Sequence, residues 1–192
     1  MRHTYYENKK LTVINFFGGA GVGKSTTAAE LFAKMKKANY KVDLAHEVAK
    51  DLVWEEAHNI FGEQDYMFAL QNRKLRRLIG HDIDYAVVDS SILLSLFYMP
   101  YDFPPSFRQY VEDAYDSYDN INIFLDRNPD LPYVQAGRNE NEAQARAIDQ
   151  SILDYFKRRE AVVKLWRVTT GPQAANMCYE IVHFHKKPTL VR

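Results

Sequence analysis

An excess of charge of either sign is what this chain lacks. Its 192 residues carry 25 Lys and Arg against 25 Asp and Glu, so no whole-molecule field draws in nucleic acid or an anionic membrane, and only a local basic patch could do so. Cysteine is nearly absent. Cys178 stands alone, which excludes an internal disulfide and a thiolate metal cluster. Among helix-forming neighbours it reads as a packed thiol rather than a nucleophile. Long apolar runs are missing too. The greasiest stretch, Ile92 to Met99, ends at Pro100 and is too short to cross a bilayer, and the opening MRHTYYENKK has no apolar segment of the secretory kind. No membrane partner and an intracellular location are therefore expected.

What remains is a globular composition. Apolar residues at 46%, charged residues at 26% and the absence of low-complexity tracts favour a packed core over disorder, and the length fits one domain over 1–192. Short β-branched and aromatic runs at Leu11–Phe17, Lys41–Ala45, Tyr85–Asp89, Ile121–Leu125 and Lys164–Val168 alternate with helical patterns near Lys24–Lys37, Glu63–Ile79, Pro105–Tyr118, Glu140–Arg159 and Pro172–His185. That alternation predicts an α/β fold of three layers, a five-stranded parallel sheet with helices on both faces. In the third helix Phe107, Tyr110, Val111, Ala114, Tyr115 and Tyr118 recur at intervals of three and four, as one core-facing stripe. Arg127 to Asn139, punctuated by Pro129, Pro132 and Gly137, fits no element and reads as a loop.

Residues 16–32 read FFGGAGVGKSTTAAELF. Within them Gly18, Gly19, Ala20, Gly21, Val22, Gly23, Lys24 and Ser25 fit G-x-x-x-x-G-K-[ST], between an apolar strand and a helix opened by Ser25, Thr26 and Thr27. Glycines let such a loop turn successive N–H groups toward phosphate oxygens, and the positive end of the next helix adds to the field. Lys24 would then reach the β- and γ-phosphates and the Ser25 hydroxyl would ligate Mg²⁺. A ligand-free turn is the plain alternative, but a chance match in a chain this long is roughly a one-in-200 event on background residue frequencies. Asp89, at the tip of the apolar run Ala86-Val87-Val88, can hold a Mg²⁺-bound water beside Ser25; it can also cap the helix that follows.

Three fates are open to a bound γ-phosphoryl group: hydrolysis coupled to motion, hydrolysis as a signal, or transfer to an acceptor. Ser90, rather than a water-polarising Glu, follows Asp89, and neither N-K-x-D nor a downstream D-x-x-G is present, which counts against hydrolases. Transfer needs water excluded and charge neutralised by a covering segment that carries arginines. Arg127, Arg138 and Arg146 lie in and just after the irregular stretch, although Arg146 can equally pair with Glu142 four residues before it. An acceptor hydroxyl needs a carboxylate nearby. Glu47, directly after the second strand, is the candidate, with Asp89 able to substitute. Gln71 interrupts the apolar stripe Met67, Leu75, Leu78, where its amide could read the edge of a nucleobase or satisfy a backbone group. Thr169-Thr170-Gly171-Pro172, after the last strand, would lie near the base end of the cradle.

With Gly18 to Ser25, Val87-Val88-Asp89-Ser90 and FLDRNPDLPYVQAGRNENEAQARAID in view, the chain resembles P-loop kinases of the thymidylate kinase and deoxynucleoside kinase group. Within it, the phage and bacterial branch that includes nicotinamide-riboside kinase domains looks nearest. The resemblance runs from about Leu11 to Val182. It implies a P-loop fold, ATP with Mg²⁺, a lid over about 127–147 whose arginines match Arg138 and Arg146, and a strand-two acid matching Glu47. It departs at Asp89-Ser90-Ser91, where family members commonly carry an Arg after the acid. The function expected from it is transfer of a γ-phosphoryl group to a hydroxyl or phosphate of a nucleoside, nucleotide or related small molecule. Two alternatives stand beside it: phosphorylation of 5-hydroxymethyluracil within DNA, as phage enzymes of this type do, and a P-loop ATPase with a binding or regulatory role. A phage-encoded chain would act in the host cytoplasm.

Overall fold

The computed structural model describes residues 11–46, 62–134 and 140–185. Five parallel strands, β1 (Thr12–Phe17), β2 (Val42–Ala45), β3 (Tyr85–Val88), β4 (Asp119–Asp126) and β5 (Leu165–Thr169), lie in the order β2-β3-β1-β4-β5. Helices α1 (Lys24–Lys37), α2 (Gln64–Arg76), α3 (Ser95–Tyr98), α4 (Pro105–Asp116), α5 (Glu142–Arg158) and α6 (Ala174–His185) connect or follow them. A 3₁₀ turn at Ile92–Leu94 leads into α3, with the Ser91 hydroxyl accepting the Leu93 N–H at 3.3 Å.

The expected α/β/α architecture is present, with each strand within two residues of its sequence-read bounds. Alternation along β1 explains the layers. Val13 and Phe17 point into a cluster with Phe68, Leu75, Val111, Tyr115, Ile152 and Phe156 under α2, α4 and α5. Ile14 and Phe16 point the other way, toward Leu31, Met35, Cys178 and Val182 of α1 and α6. The stripe read along α4 needs two corrections. Val111, Ala114 and Tyr115 are buried, but Tyr110 is 48% exposed and Phe107 is only half-buried, because the face of α4 nearest α2 stays open. In α2 the apolar anchor is Phe68, one residue after the expected Met67.

Polar side chains sit in the first cluster. Asn15, paired in register with Asn122, donates to Asn120 Oδ1 at 2.9 Å, while the Tyr115 hydroxyl donates to Asn122 Oδ1 at 2.5 Å. A slip of β4 against β1 by one residue would carry Asn122 to the opposite face, so this network ties the sheet to one register. Helix α5 begins where it does because Asn141 and Gln144 form a reciprocal capping box, each side chain accepting the other's backbone N–H at 2.9 Å.

Burial at the α1–α6 interface pushes the Cys178 thiol up to about 12, against an ordinary value near 8.5. The raised value means that the folded state favours the protonated thiol; the stability this contributes is intact below about pH 8.5 and declines as pH climbs toward the folded value. We predict that a disulfide reagent at pH 8 leaves Cys178 unmodified in native buffer and labels one thiol per chain through the urea transition; fast native labelling would contradict the packing.

Candidate functional site

β1 runs out at Phe17 into a loop whose shape is set from inside. Val22 is buried in the α1 layer and draws the loop around itself. Gly23, at φ +95, opens α1, and its carbonyl accepts the first helical N–H from Thr27 at 3.0 Å; a side chain at that φ would be strained. Lys24 folds back over the loop and donates to Gly18 O at 2.7 Å and Gly19 O at 3.2 Å. Two of its three N–H groups are thereby engaged, which fixes the ammonium at the loop and leaves one donor to spare. Ser25 and Thr26 stand in the first turn of α1, where N–H groups lack intrahelical partners.

The outside of the loop is braced by α5. Asp149 Oδ1 accepts the Gly19 N–H at 2.5 Å, and its other oxygen accepts Arg127 Nε at 2.6 Å. Arg127 Nη2 in turn donates to Ala20 O at 2.9 Å. Both side chains are nearly buried, at 14% and 15% exposed, so this ion pair is screened far less than a surface one. A methyl group on Gly19 would sit 2.2 Å from Ala145 O; only a hydrogen lets α5 come this close. Arg127 is thus tied to the loop itself, through a partner 22 positions on that no local pattern in the sequence reveals.

At the other end of the loop, the turn after β5 closes in. Thr170 N donates to Asp126 O at 2.9 Å, Asn128 N donates to Thr170 Oγ1 at 3.2 Å, and a methyl group on Gly23 would meet Thr170 Cγ2 at 3.5 Å. Gly171, at φ +150, lies against Asn128. The segment Thr169–Pro172 therefore reaches the cradle as the sequence suggested, and Asn128 joins it from β4.

Asp89 follows β3, next to β1 in the sheet, and is 3% exposed. Its carboxylate and the Ser25 hydroxyl are oxygen donors of the type Mg²⁺ takes. Among the described residues no group of three His, Cys, Asp or Glu could hold a metal, so a cation at this edge would complete its shell with water and phosphate oxygens. Gln71 is buried in α2 at 5% exposure. Arg146 points to solvent and pairs with Glu142 at 2.7 Å. Glu47 and Arg138 lie outside the described residues. The Tyr133 hydroxyl, donating to Glu140 O at 2.5 Å, ties together the chain on either side of the stretch that contains Arg138. No helix of the described residues is long and apolar enough to cross a membrane.

Residues 13–171 match the AAA domain family, from β1 through the whole cradle to the turn after β5. The chain belongs to the AAA domain family. Similar solved structures include a NadR protein in complex with NR, at TM-score 0.69 and 15% identity over 95% of this chain, and a NadR protein in complex with NAD and AMP-PNP, at TM-score 0.67 and 14% identity over 95%. This chain spans only about half of those chains, 53% and 51%. The Mycobacterium tuberculosis APS kinase CysC, in complex with AMPPNP and APS, aligns over 94% of this chain and 100% of its own, at TM-score 0.50 and 13% identity. These likenesses fix the fold as that of the P-loop NTPases. No curated protein matches the sequence.

Removing the brace should be costly. Asp149→Ala leaves Arg127 and the Gly19 N–H without their acceptor in a nearly dry place, and is expected to lower the unfolding free energy by about 3 kcal/mol. Asp149→Asn, which keeps an acceptor but no charge, should lie between; urea midpoints of the three chains check this order.

Proposed function

We propose that the protein is an ATP- and Mg²⁺-dependent phosphotransferase, a kinase that moves the γ-phosphoryl group to a hydroxyl or phosphate of a nucleoside, nucleotide or related small molecule. One observation carries this reading: two cations, Lys24 and Arg127, are anchored on carbonyls of a single Gly-rich loop, Gly18, Gly19 and Ala20, at a helix N-terminus. Such a constellation suits a chain of phosphates whose charge shifts during transfer. That the NadR structures hold NR, or NAD with AMP-PNP, and that APS kinase holds AMPPNP with APS, supports an adenine nucleotide as donor and a small nucleoside or nucleotide as acceptor. The resemblance to the thymidylate and deoxynucleoside kinase group supports the same class.

In this reading the loop N–H groups and Lys24 bind the β- and γ-phosphates. Ser25 and Asp89 would hold Mg²⁺, which neutralises phosphate charge when bound. Arg127, held by Asp149, keeps a fixed cation at the rim of the loop. Thr170 and Gly171 line the base end. Glu47 orients the acceptor hydroxyl and takes its proton as the acceptor oxygen bonds to the γ-phosphorus and the bond to the β–γ bridging oxygen breaks, releasing ADP. Arg138 and Arg146 meet the charge on the moving group from the lid, Arg146 after leaving Glu142, while Gln71 faces the acceptor. A full set of roles thus falls within one domain.

The test is incubation with γ-labelled ATP against nucleosides, mononucleotides, nicotinamide riboside and hydroxymethyluracil-containing DNA. Label is expected on a small nucleoside or nucleotide. Label on the DNA base would select the DNA kinase, and free labelled phosphate with no labelled acceptor would select an ATPase. Lys24→Ala should reduce transfer to background, and unchanged turnover would remove the cradle from the reaction. Glu47→Gln is expected to lower kcat by about a hundredfold or more with ATP affinity little changed; a wild-type rate rejects it as the base.

A further inference from the structure

A cleft of about 440 Å³ opens between α2 and α4, lined by Asp65, Phe68, Asn72, Arg73, Arg77 and Tyr110 among others. None of its lining belongs to the loop or to the residues that brace it. We propose that this cleft is a second nucleotide site, taking a free nucleoside di- or triphosphate independently of the cradle.

The lining is sorted along the groove. From Asp65 to Arg77 the helix rises about 18 Å. At the first end, Phe68 meets Tyr110 at 5.4 Å and Phe107 at 5.9 Å between ring centroids, and Tyr110 keeps 48% of its surface exposed. Phe68 is buried and supports the exposed ring of Tyr110, which is what the groove offers to a planar base. Asp65 stands beside it as an acceptor for ring N–H or exocyclic amine groups. In the middle, Asn72 lines the cleft at 5% exposure, its Oδ1 accepting the Tyr118 hydroxyl at 2.9 Å. At the far end stand the exposed guanidinium groups of Arg73, Arg76 and Arg77.

Rings at one end and guanidinium groups at the other match a molecule with a base at one end and phosphates at the other. A nucleic-acid strand carries bases beside phosphates all along its length and would need the two kinds of contact side by side. The volume falls in the range of small-molecule sites. The charge arrangement also asks for an anion. Arg73 and Arg77 are four apart on one helix face, a repulsive spacing, and among the described residues neither forms an ion pair with a carboxylate. The helix dipole favours cations at this end of α2, but it does not account for the exposed ring of Tyr110 at the same groove.

Equilibrium dialysis of ATP with Mg²⁺ against Lys24→Ala, which disables the cradle, tests the site. The expected result is that about one equivalent stays bound, and that Arg73→Glu with Arg77→Glu in that background weakens it at least about tenfold. Tyr110→Ala should weaken ATP similarly while leaving inorganic triphosphate unaffected, which reads the ring contact without depending on the charge reversals folding. Three results overturn the proposal: no nucleotide retained by Lys24→Ala, inorganic triphosphate binding as tightly as ATP, or a short oligonucleotide binding where free nucleotide does not. A protein without transferase activity that still binds ATP through Arg73 and Tyr110 would defeat the kinase reading alone; transfer by the wild type with no second equivalent would defeat this inference alone.

Discussion

Parallel pairing of β1 on both sides governs the rest of the molecule. With Asn15 opposite Val88 and Phe17 opposite Phe124, the residues just past three adjacent strand ends, Asp89, Gly18 and Arg127, come to one edge of the sheet. The buried Asn15–Asn122–Tyr115 network lies beneath that edge and specifies the register at a cost in desolvation that apolar residues would not incur. Once the register is set, no further folding decision is needed to bring an acid, a Gly-rich loop and a guanidinium group together. An open α/β sheet collects its ligands at this edge for the same reason.

The loop is also held from outside the sheet. Helix α5 meets the loop through the missing side chain of Gly19 and through Asp149, so any movement of α5 is felt at the Gly19 N–H and, through Arg127, at Ala20 O. The segment read as a lid ends in this helix.

Much of this was legible beforehand because it is local. The strands announced themselves by short β-branched runs, and the loop by glycines spaced before Lys24 and Ser25. Thr170 and Gly171 were placed near the cradle by topology alone. The helix ends moved by up to three residues, α2 ending at Arg76 rather than Ile79, and the Asn141-x-x-Gln144 capping box is a signal in the letters that fixes one of them. Asp149 could not be read, since its partners Gly19 and Arg127 are distant in sequence and only the sheet brings them near. Tyr110 was misread as core because helical spacing reports a stripe without saying whether a neighbouring helix covers all of it. The same uncovered face becomes the wall of the cleft against α2.

Zero net charge is compatible with the two proposed anion sites because several carboxylates near the cradle and on α4 and α5 form local ion pairs. Asp126 pairs with Arg167, Asp116 with Arg159, Glu142 with Arg146 and Asp149 with Arg127. Such pairs cancel within a few ångströms and leave little field beyond. Screening at physiological salt acts over about 8 Å, so the guanidinium groups at the end of α2 feel their own surroundings rather than the balance of the whole chain. A neutral protein of this kind does not steer polyanions from a distance. In the proposed reading it recognises an anion on arrival, and the aromatic end of the cleft selects anions that carry a ring.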